Sequence, residues 1–302
     1  MSIRRAKPKK IRSVQIERAL VAVVGILLAL TLSHVSSAGH ERFDDETLQV
    51  WFFDVGQGDA TFIITPNGQQ ILIDAGPSAK VLSKLGAVMP FWDRSIDAVV
   101  MTHPDSDHIA GFVSVFERYD VGMVIESGAS ASTSVARTVD QAAADENSQQ
   151  KLVKAGDVFE IDGVWFEVLW PADVTDGEVV ENRNDASIVL SVSYGNTTVL
   201  LTGDVEEETE FELLNELEPI DVLKAGHHGS ISSSSIEFLS AASPEYSVIS
   251  CGEDNQYGHP HSIVLDRLEH EGSEVLRTDL DGDILLSSDG ADTRIRSAPL
   301  MF

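Results

Sequence analysis

Apolar and β-branched residues recur at every second position in several short stretches, the period of half-buried strands. They predict strands near Leu48–Asp54, Ala60–Thr65 and Gln70–Asp74, with Pro66-Asn67-Gly68 turning the last two into a hairpin. Spacing of three and four over Lys80 to Met89 predicts a helix. A continuous apolar run, Asp97-Ala98-Val99-Val100-Met101, reads as a buried strand leading directly into Thr102-His103. The stretch from Ala129 to Gln149, rich in alanine, serine and glutamine, predicts a surface helix. Strands resume at Val164–Leu169, Ser187–Tyr194 and Thr197–Leu201, the last two closed by Gly195-Asn196, and a glutamate-rich helix follows Asp204. Acids in that helix's first turn suit its dipole. Beyond it come a strand at Asp221–Ala225, a helix at Ser235–Ala242, a strand at Tyr246–Ser250, a helix at Ser262–Glu271, and strands near Val275 and Ile284. Each half opens with hairpins and closes with helices. That order predicts an α+β fold in which two mixed sheets pack face to face with helices outside, a four-layer αββα sandwich.

With 302 residues, 43% of them hydrophobic, the chain can bury a sizeable core. No composition break follows Leu48, so residues 48–302 read as one domain behind a polar linker, 41–47. Acids outnumber bases 49 to 21, for a net charge of -28. The excess is uneven: seven bases and one acid precede His40, leaving 48 acids against 14 bases. Such a surface suits high salt, where self-repulsion is screened, and equally an ordinary acidic exported protein. It argues against a main task of gripping nucleic acid through a broad basic face.

Residues 1–40 carry the pattern of a signal peptide or signal anchor. Basic residues from Arg4 to Arg18 precede an apolar stretch, Ala19 to Leu32, and Ser36-Ser37-Ala38 suits a cleavage site. Running on to Val35, the same stretch would serve as a membrane tether, residues 19–35, with its basic end inside. The chain is therefore expected outside the cytoplasm, secreted or anchored. Cys251, the single cysteine, follows an apolar strand and reads as a buried small residue.

The densest chemical signal is Thr102-His103-Pro104-Asp105-Ser106-Asp107-His108-Ile109-Ala110-Gly111, with four potential ligands in six residues between a buried strand and a helix. Imidazole nitrogen and carboxylate oxygen together suit Zn²⁺ or Mn²⁺. This segment resembles the H-x-H-x-D-H signature of the metallo-β-lactamase superfamily. Asp74 in Leu72-Ile73-Asp74-Ala75-Gly76 resembles the aspartate that precedes that signature, Asp204 in Leu201-Thr202-Gly203-Asp204 its bridging carboxylate, and His227-His228-Gly229-Ser230 its final histidine ligand. The segments Asp54-Val55-Gly56-Gln57-Gly58-Asp59-Ala60, His227-His228-Gly229-Ser230 and Tyr257-Gly258-His259-Pro260-His261 are similar to the soluble domain of ComEC-type competence proteins. Two departures matter: Asp105 replaces the second signature histidine, and no histidine lies between His108 and His227.

The resemblance implies two ions. His103 and Asp105 would hold the first; Asp107, His108 and one of the adjacent histidines the second; and Asp204 would bridge, with Asp185 a possible substitute for the missing ligand. His227, first after the strand, is assigned as the ligand and His228 to the leaving group or phosphate, so that Asp107, Asp204 and His228 carry catalysis. Asp74 is expected to orient His103, or else simply to end its strand. Ser230 and Ser232 to Ser235 are read as phosphate donors or as plain helix caps. His259 and His261 are read as substrate contacts, with capping the bland role for His261, and Asp59 as a residue of the site mouth or of its turn. The implied activity is phosphodiester hydrolysis by a metal-activated hydroxide, with DNA as the substrate. The alternatives are hydrolysis of a small ester, lactone or phosphocholine-like group, and a non-catalytic module with a degenerate metal site.

Overall fold

The computed structural model describes residues 47–300 other than 147, 174–176 and 181. The chain opens with three antiparallel strands, β1 (Leu48–Phe52), β2 (Thr61–Ile64) and β3 (Gln70–Ile73), followed by helix α1 (Lys80–Val88) and strand β4 (Ser95–Met101). Two short helices, α2 (Ser106–Ile109) and α3 (Phe112–Phe116), lead to β5 (Asp120–Glu126), the short β6 (Ala129–Ser130), α4 (Ser134–Asp145) and β7 (Gln149–Leu152). The second half runs β8 (Val158–Ile161), β9 (Val164–Trp170), the short β10 (Glu178–Val179), β11 (Val189–Tyr194), β12 (Thr197–Leu201), α5 (Glu207–Leu213) and β13 (Val222–Lys224). It continues through α6 (Ile236–Ala242), β14 (Tyr246–Ile249), α7 (Ser262–His270), β15 (Glu274–Arg277), α8 (Thr278–Asp281), β16 (Ile284–Ser288) and β17 (Thr293–Ser297).

These strands form an eight-stranded sheet, β17-β16-β1-β2-β3-β4-β5-β7, and a seven-stranded sheet, β15-β14-β13-β12-β11-β9-β8. Both are mixed. In the first, β3, β4 and β5 run parallel; in the second, β12 to β15 do. Alternation decides which side chains face which layer. Leu48, Val50 and Phe52 of β1 meet Val199 and Leu201 of β12 and Val222 of β13 in the core between the sheets. The intervening Leu200 and Leu223 point the other way, onto Phe238 and Leu239 of α6 and Val264 and Leu268 of α7. The expected four-layer αββα sandwich is thus the observed one.

Cys251 is buried in the outer apolar layer, and burial, reinforced by the Asp279 carboxylate, pushes its thiol up to about 12. The expected leader and tether lie outside the described residues. Among the described residues no helix is long and apolar enough to cross a membrane.

Two expected elements need revision. Strands β5, β7, β8 and β17 are additional to those read from the pattern, and they extend the sheets at or next to their edges. The serine run before α6 does not offer an anion seat. The backbone N–H groups of Ser234 and Ser235 donate at 2.5 and 2.8 Å to the buried carboxylate of Glu210, and the Ser235 hydroxyl caps α6 by accepting from Phe238 N. A side chain of the protein already fills the place proposed for phosphate.

Candidate metal centre

The candidate residues sit at strand ends that share one edge of the sandwich. The turn after β1 carries Asp59, and Gly58 makes its position possible. A Cβ on Gly58, whose φ is +147°, would collide with the backbone oxygen of Asp107, the same oxygen that accepts from Asp59 N at 3.2 Å. Asp74 ends β3 and ties down the loop that follows β4. Its carboxylate accepts from Thr102 N at 3.0 Å and Thr102 Oγ1 at 2.7 Å, and lies 2.7 Å from His108 Nδ1. Asp107 and His108 ride on α2, and Asp204 follows β12. After β13 comes a single tight turn, Gly226–Gly229, in which His227 and His228 are both left-handed, with φ of 48° and 55°. Each such residue costs on the order of 1–3 kcal/mol. A fold carries that strain where the placement of the side chain matters.

The polar atoms converge. His228 Nε2 lies 3.2 Å from Asp107 Oδ2 and 3.4 Å from Asp204 Oδ2, and His108 Nε2 lies 3.2 Å from that same Asp204 oxygen. Ligands about 2.0–2.2 Å from a tetrahedral ion are themselves about 3.3–3.6 Å apart, so these separations are close to those of a coordination shell. His108 Nε2 is fully buried yet makes no hydrogen bond, although Asp204 is near. Asp59, His108, Asp204 and His228 each bring a ligand atom within 4.8 Å of the others. Within that group Asp59 stands behind His228: its Oδ1 is 3.2 Å from Nδ1, which also donates to Ser250 O at 2.9 Å. His108, Asp204 and His228, with the Asp107 carboxylate 3.2 Å from His228 Nε2, make a donor set of the kind that suits a divalent ion.

The charges in the metal-free protein show what the site demands. Burial pushes His228 down, but the Asp204 and Asp59 carboxylates outweigh it and hold this imidazole up at about 10. His108 is likewise raised against its burial, by Asp204 and Asp74. Asp204 is burdened by burial but held well below the carboxylate range by His108 and His228. His103 goes the other way: burial and the neighbouring His108 push it down to about 4. Without an ion, protonated histidines supply the positive charge that the carboxylates require. Ligation needs those nitrogens free of protons, so ion and protons compete.

Several assignments from the sequence change. Asp74 orients His108, not His103; the Nδ1 of His103 sits instead 3.1 Å from Thr102 Oγ1 and 3.2 Å from Ser187 Oγ, leaving a buried Nε2 without a partner. His228, not His227, enters the cluster, because the two left-handed residues turn the second imidazole inward. His227 Nε2 stays 3.9 Å from Asp204, and its Nδ1 faces Glu206 at 3.4 Å. Asp105 is ion-paired with Arg183. Asp185 accepts from Thr209 Oγ1 at 3.2 Å. Ser230 is buried and exchanges a 3.0 Å hydrogen bond with Ser232.

His259 lies beside the centre, its ring 5.7 Å from that of His227 and 6.3 Å from that of His228, with His261 5.1 Å further on. The Nδ1 atoms of His259 and His261 are buried and unpartnered, and His261 makes no side-chain cap to α7. Burial, with the nearby histidines, pushes His259 down to about 4, so it is neutral at ordinary pH.

Lys224 is the important residue that the sequence motifs did not single out. It shares the inward face of β13 with Val222, is buried, and pairs with Asp59 while donating to Gly203 O at 3.1 Å. The available signal was a lysine inside an otherwise apolar strand, Val222-Leu223-Lys224-Ala225.

Replacement of each adjacent histidine separates their roles. His228→Ala is expected to lose bound metal, measured by elemental analysis after dialysis, whereas His227→Ala keeps it. The reverse outcome would return the ligand role to His227.

Residues 53–253 match the metallo-β-lactamase superfamily. ComE operon protein 3 of Bacillus subtilis is 34% identical over 255 residues, covering 78% of this chain and 32% of that protein. Recombination protein 2 of Haemophilus influenzae is 33% identical, covering 81% of this chain and 29% of that protein, and competence protein ComA of Neisseria gonorrhoeae is 33% identical, covering 85% and 34%. The chain spans about a third of the length of these relatives. Among solved structures, the metallo-β-lactamase fold protein YhfI of Bacillus subtilis superposes with a TM-score of 0.56 at 14% identity, covering 80% of this chain and 100% of that one. The chain belongs to the metallo-β-lactamase superfamily, in the branch it shares with these competence proteins.

Proposed function

We propose that the chain is an exported, metal-dependent phosphodiesterase that acts on DNA. The observation that carries this reading is the convergence of His108, Asp204 and His228, with Asp107 beside His228 and a fully buried His108 Nε2 left without a hydrogen bond. Relatives named for competence and recombination support DNA as the substrate, and the leader pattern of residues 1–40 supports export. Zn²⁺ and Mn²⁺ both suit the mixed nitrogen and oxygen donors. A divalent ion held there would supply an acidified water and would stabilise the negative charge that develops on the phosphoryl oxygens when phosphorus is attacked.

The chain's own residues do the rest. Asp74 fixes the His108 ring through Nδ1, so that Nε2 points to the centre. Asp59 and the Ser250 carbonyl do the same for His228. His227, a quarter exposed and pointing its Nε2 toward Asp204, is placed to pass a proton to the leaving oxygen. Neutral His259 lies next to it as a phosphate contact, and His261 backs it.

The test is a metal-by-substrate screen at low and high salt. DNA is expected to release nucleotides only with added Mn²⁺ or Zn²⁺, and faster when moderate salt screens the net charge of -28. Metal-dependent turnover of a chromogenic small ester with DNA left intact would replace this reading with the small-substrate one. Failure to bind any transition metal would mark the module as non-catalytic.

A further inference from the structure

The loop that follows β14 presents an aromatic ring to solvent beside the metal centre, and the rest of the loop is built to hold it there. Asn255 uses both ends of its amide. Its Nδ2 donates to the carbonyl oxygens of Gly252 at 2.9 Å and His259 at 2.6 Å, and its Oδ1 accepts from the N–H groups of Tyr257 at 3.2 Å and His259 at 3.0 Å. Gly258, at a φ of +73°, turns the chain between those two residues. At its start the loop lies against the turn after β1: Gly252 N donates to Gln57 Oε1 at 3.1 Å, and a Cβ on Gly252 would come within 2.7 Å of Gln57 N. On this frame the Tyr257 ring stacks on His259, centroids 5.7 Å apart and planes 27° from parallel, yet the residue is 57% exposed. The His259 ring is in turn 6.3 Å from that of His228, so two ring-to-ring steps lead from an open aromatic face to the centre. The charges near the ring oppose a phosphate. Glu253 and Asp254 are exposed on the same loop, and the net charge of the chain is -28. A nucleobase carries no charge, and stacking needs no cation.

We infer that Tyr257 is a stacking platform for a nucleobase next to the scissile phosphate, and that the site takes single-stranded DNA in preference to duplex. The inference rests on the DNA phosphodiesterase reading and names the conformation of its substrate. Every base has a π-face, so an aromatic ring grips a strand without regard to sequence. In a duplex both faces of a base are covered by its neighbours, and the base must leave the stack to reach Tyr257. A free strand or a frayed end offers that face at once. Glu253 and Asp254 add direction: they keep phosphates off the loop, so the strand lies with a base on Tyr257 and its backbone toward His228. The rigidity conferred by Asn255 matters because a loop already ordered loses little entropy when it binds.

The test uses single-stranded oligonucleotides in which 2-aminopurine, a fluorescent base quenched by stacking, replaces one base at a time. On mixing with the full Mn²⁺-loaded chain, one position is expected to be quenched in the binding phase, before any nucleotide is released. Tyr257→Ala should lose that quenching and raise KM about 10-fold, whereas Tyr257→Phe keeps both at the level of the parent. An abasic site at the same position should raise the KM of the parent by a similar factor and leave Tyr257→Ala unaffected, because both changes remove one contact. The parent should also favour the single strand over its duplex by about 10-fold in kcat/KM. Quenching and KM like the parent's in Tyr257→Ala, or a preference for duplex, would overturn the inference and leave the DNA reading standing. Loss of quenching in Tyr257→Phe as well would assign the contact to the hydroxyl and overturn the stacking role. No quenching at any position and no nucleotide released by the parent would overturn both readings. The exposed position of Tyr257 lets these variants fold.

Discussion

Asp204→Ala is expected to abolish metal uptake and, with it, hydrolytic activity, by a factor of about 10³ or more. Its carboxylate faces His108, His227 and His228 with one oxygen and Lys224 with the other, so no neighbour can take over its place. Losing the charge stabilisation that an ion gives to a reacting oxygen forfeits several kcal/mol, and each 1.36 kcal/mol is about tenfold in rate. Asp204→Asn, nearly the same shape, separates this effect from misfolding. It should retain the near-ultraviolet circular dichroism of the parent and still lack metal and activity. Full activity in either variant would show that the chemistry happens elsewhere.

Asp74→Ala is expected to damage both fold and site. Three groups lose their acceptor at once: the Thr102 backbone N–H, the Thr102 hydroxyl and His108 Nδ1, all of them buried. Each buried donor left unsatisfied costs about 1–3 kcal/mol, and stranding the charge on His108 adds to that, so a loss of roughly 4 kcal/mol is expected. For a domain of this size that lowers Tm by roughly 10 °C. The residual folded protein should also bind its ion about 10- to 100-fold more weakly, since an unanchored imidazole is a poorer and less well-aimed ligand. Thermal melts with and without Mn²⁺ measure both. A variant that melts like the parent and keeps its affinity would reduce Asp74 to a strand terminator.

The parts of the fold that could be read from the chain are those where one face is buried. Alternation was visible because Val50, Val199 and Val222 must meet across the two sheets while Leu200 and Leu223 beside the last two meet helices. Strand β7, Gln149–Leu152, is exposed along its whole length and carries no such signal; its pairing comes from the β5 strand beside it. Strand β17 alternates only weakly, half-buried at Thr293 and Ile295.

The site divides the same way. Its contiguous loop, His103 to His108, announced itself because four ligand-type side chains in a short run have no structural reason to be there. Which histidine Asp74 would reach was not legible, because that depends on how α2 turns after Asp105. Nor was the choice between His227 and His228, which rests on a pair of left-handed residues that no neighbouring side chain foretells. Lys224 and Arg183 belong to no motif. Their roles come from three-dimensional proximity to Asp59, Asp204 and Asp105.

The central claim is that side chains from distant strand ends meet at one ion-binding point. Anomalous diffraction from a crystal of the Mn²⁺-loaded chain tests it most directly. The account predicts a strong peak within bonding distance, about 2.0–2.3 Å, of His108 Nε2, His228 Nε2 and carboxylate oxygens of Asp107 and Asp204. A peak away from these four residues, or none in a crystal grown with excess ion, would contradict it.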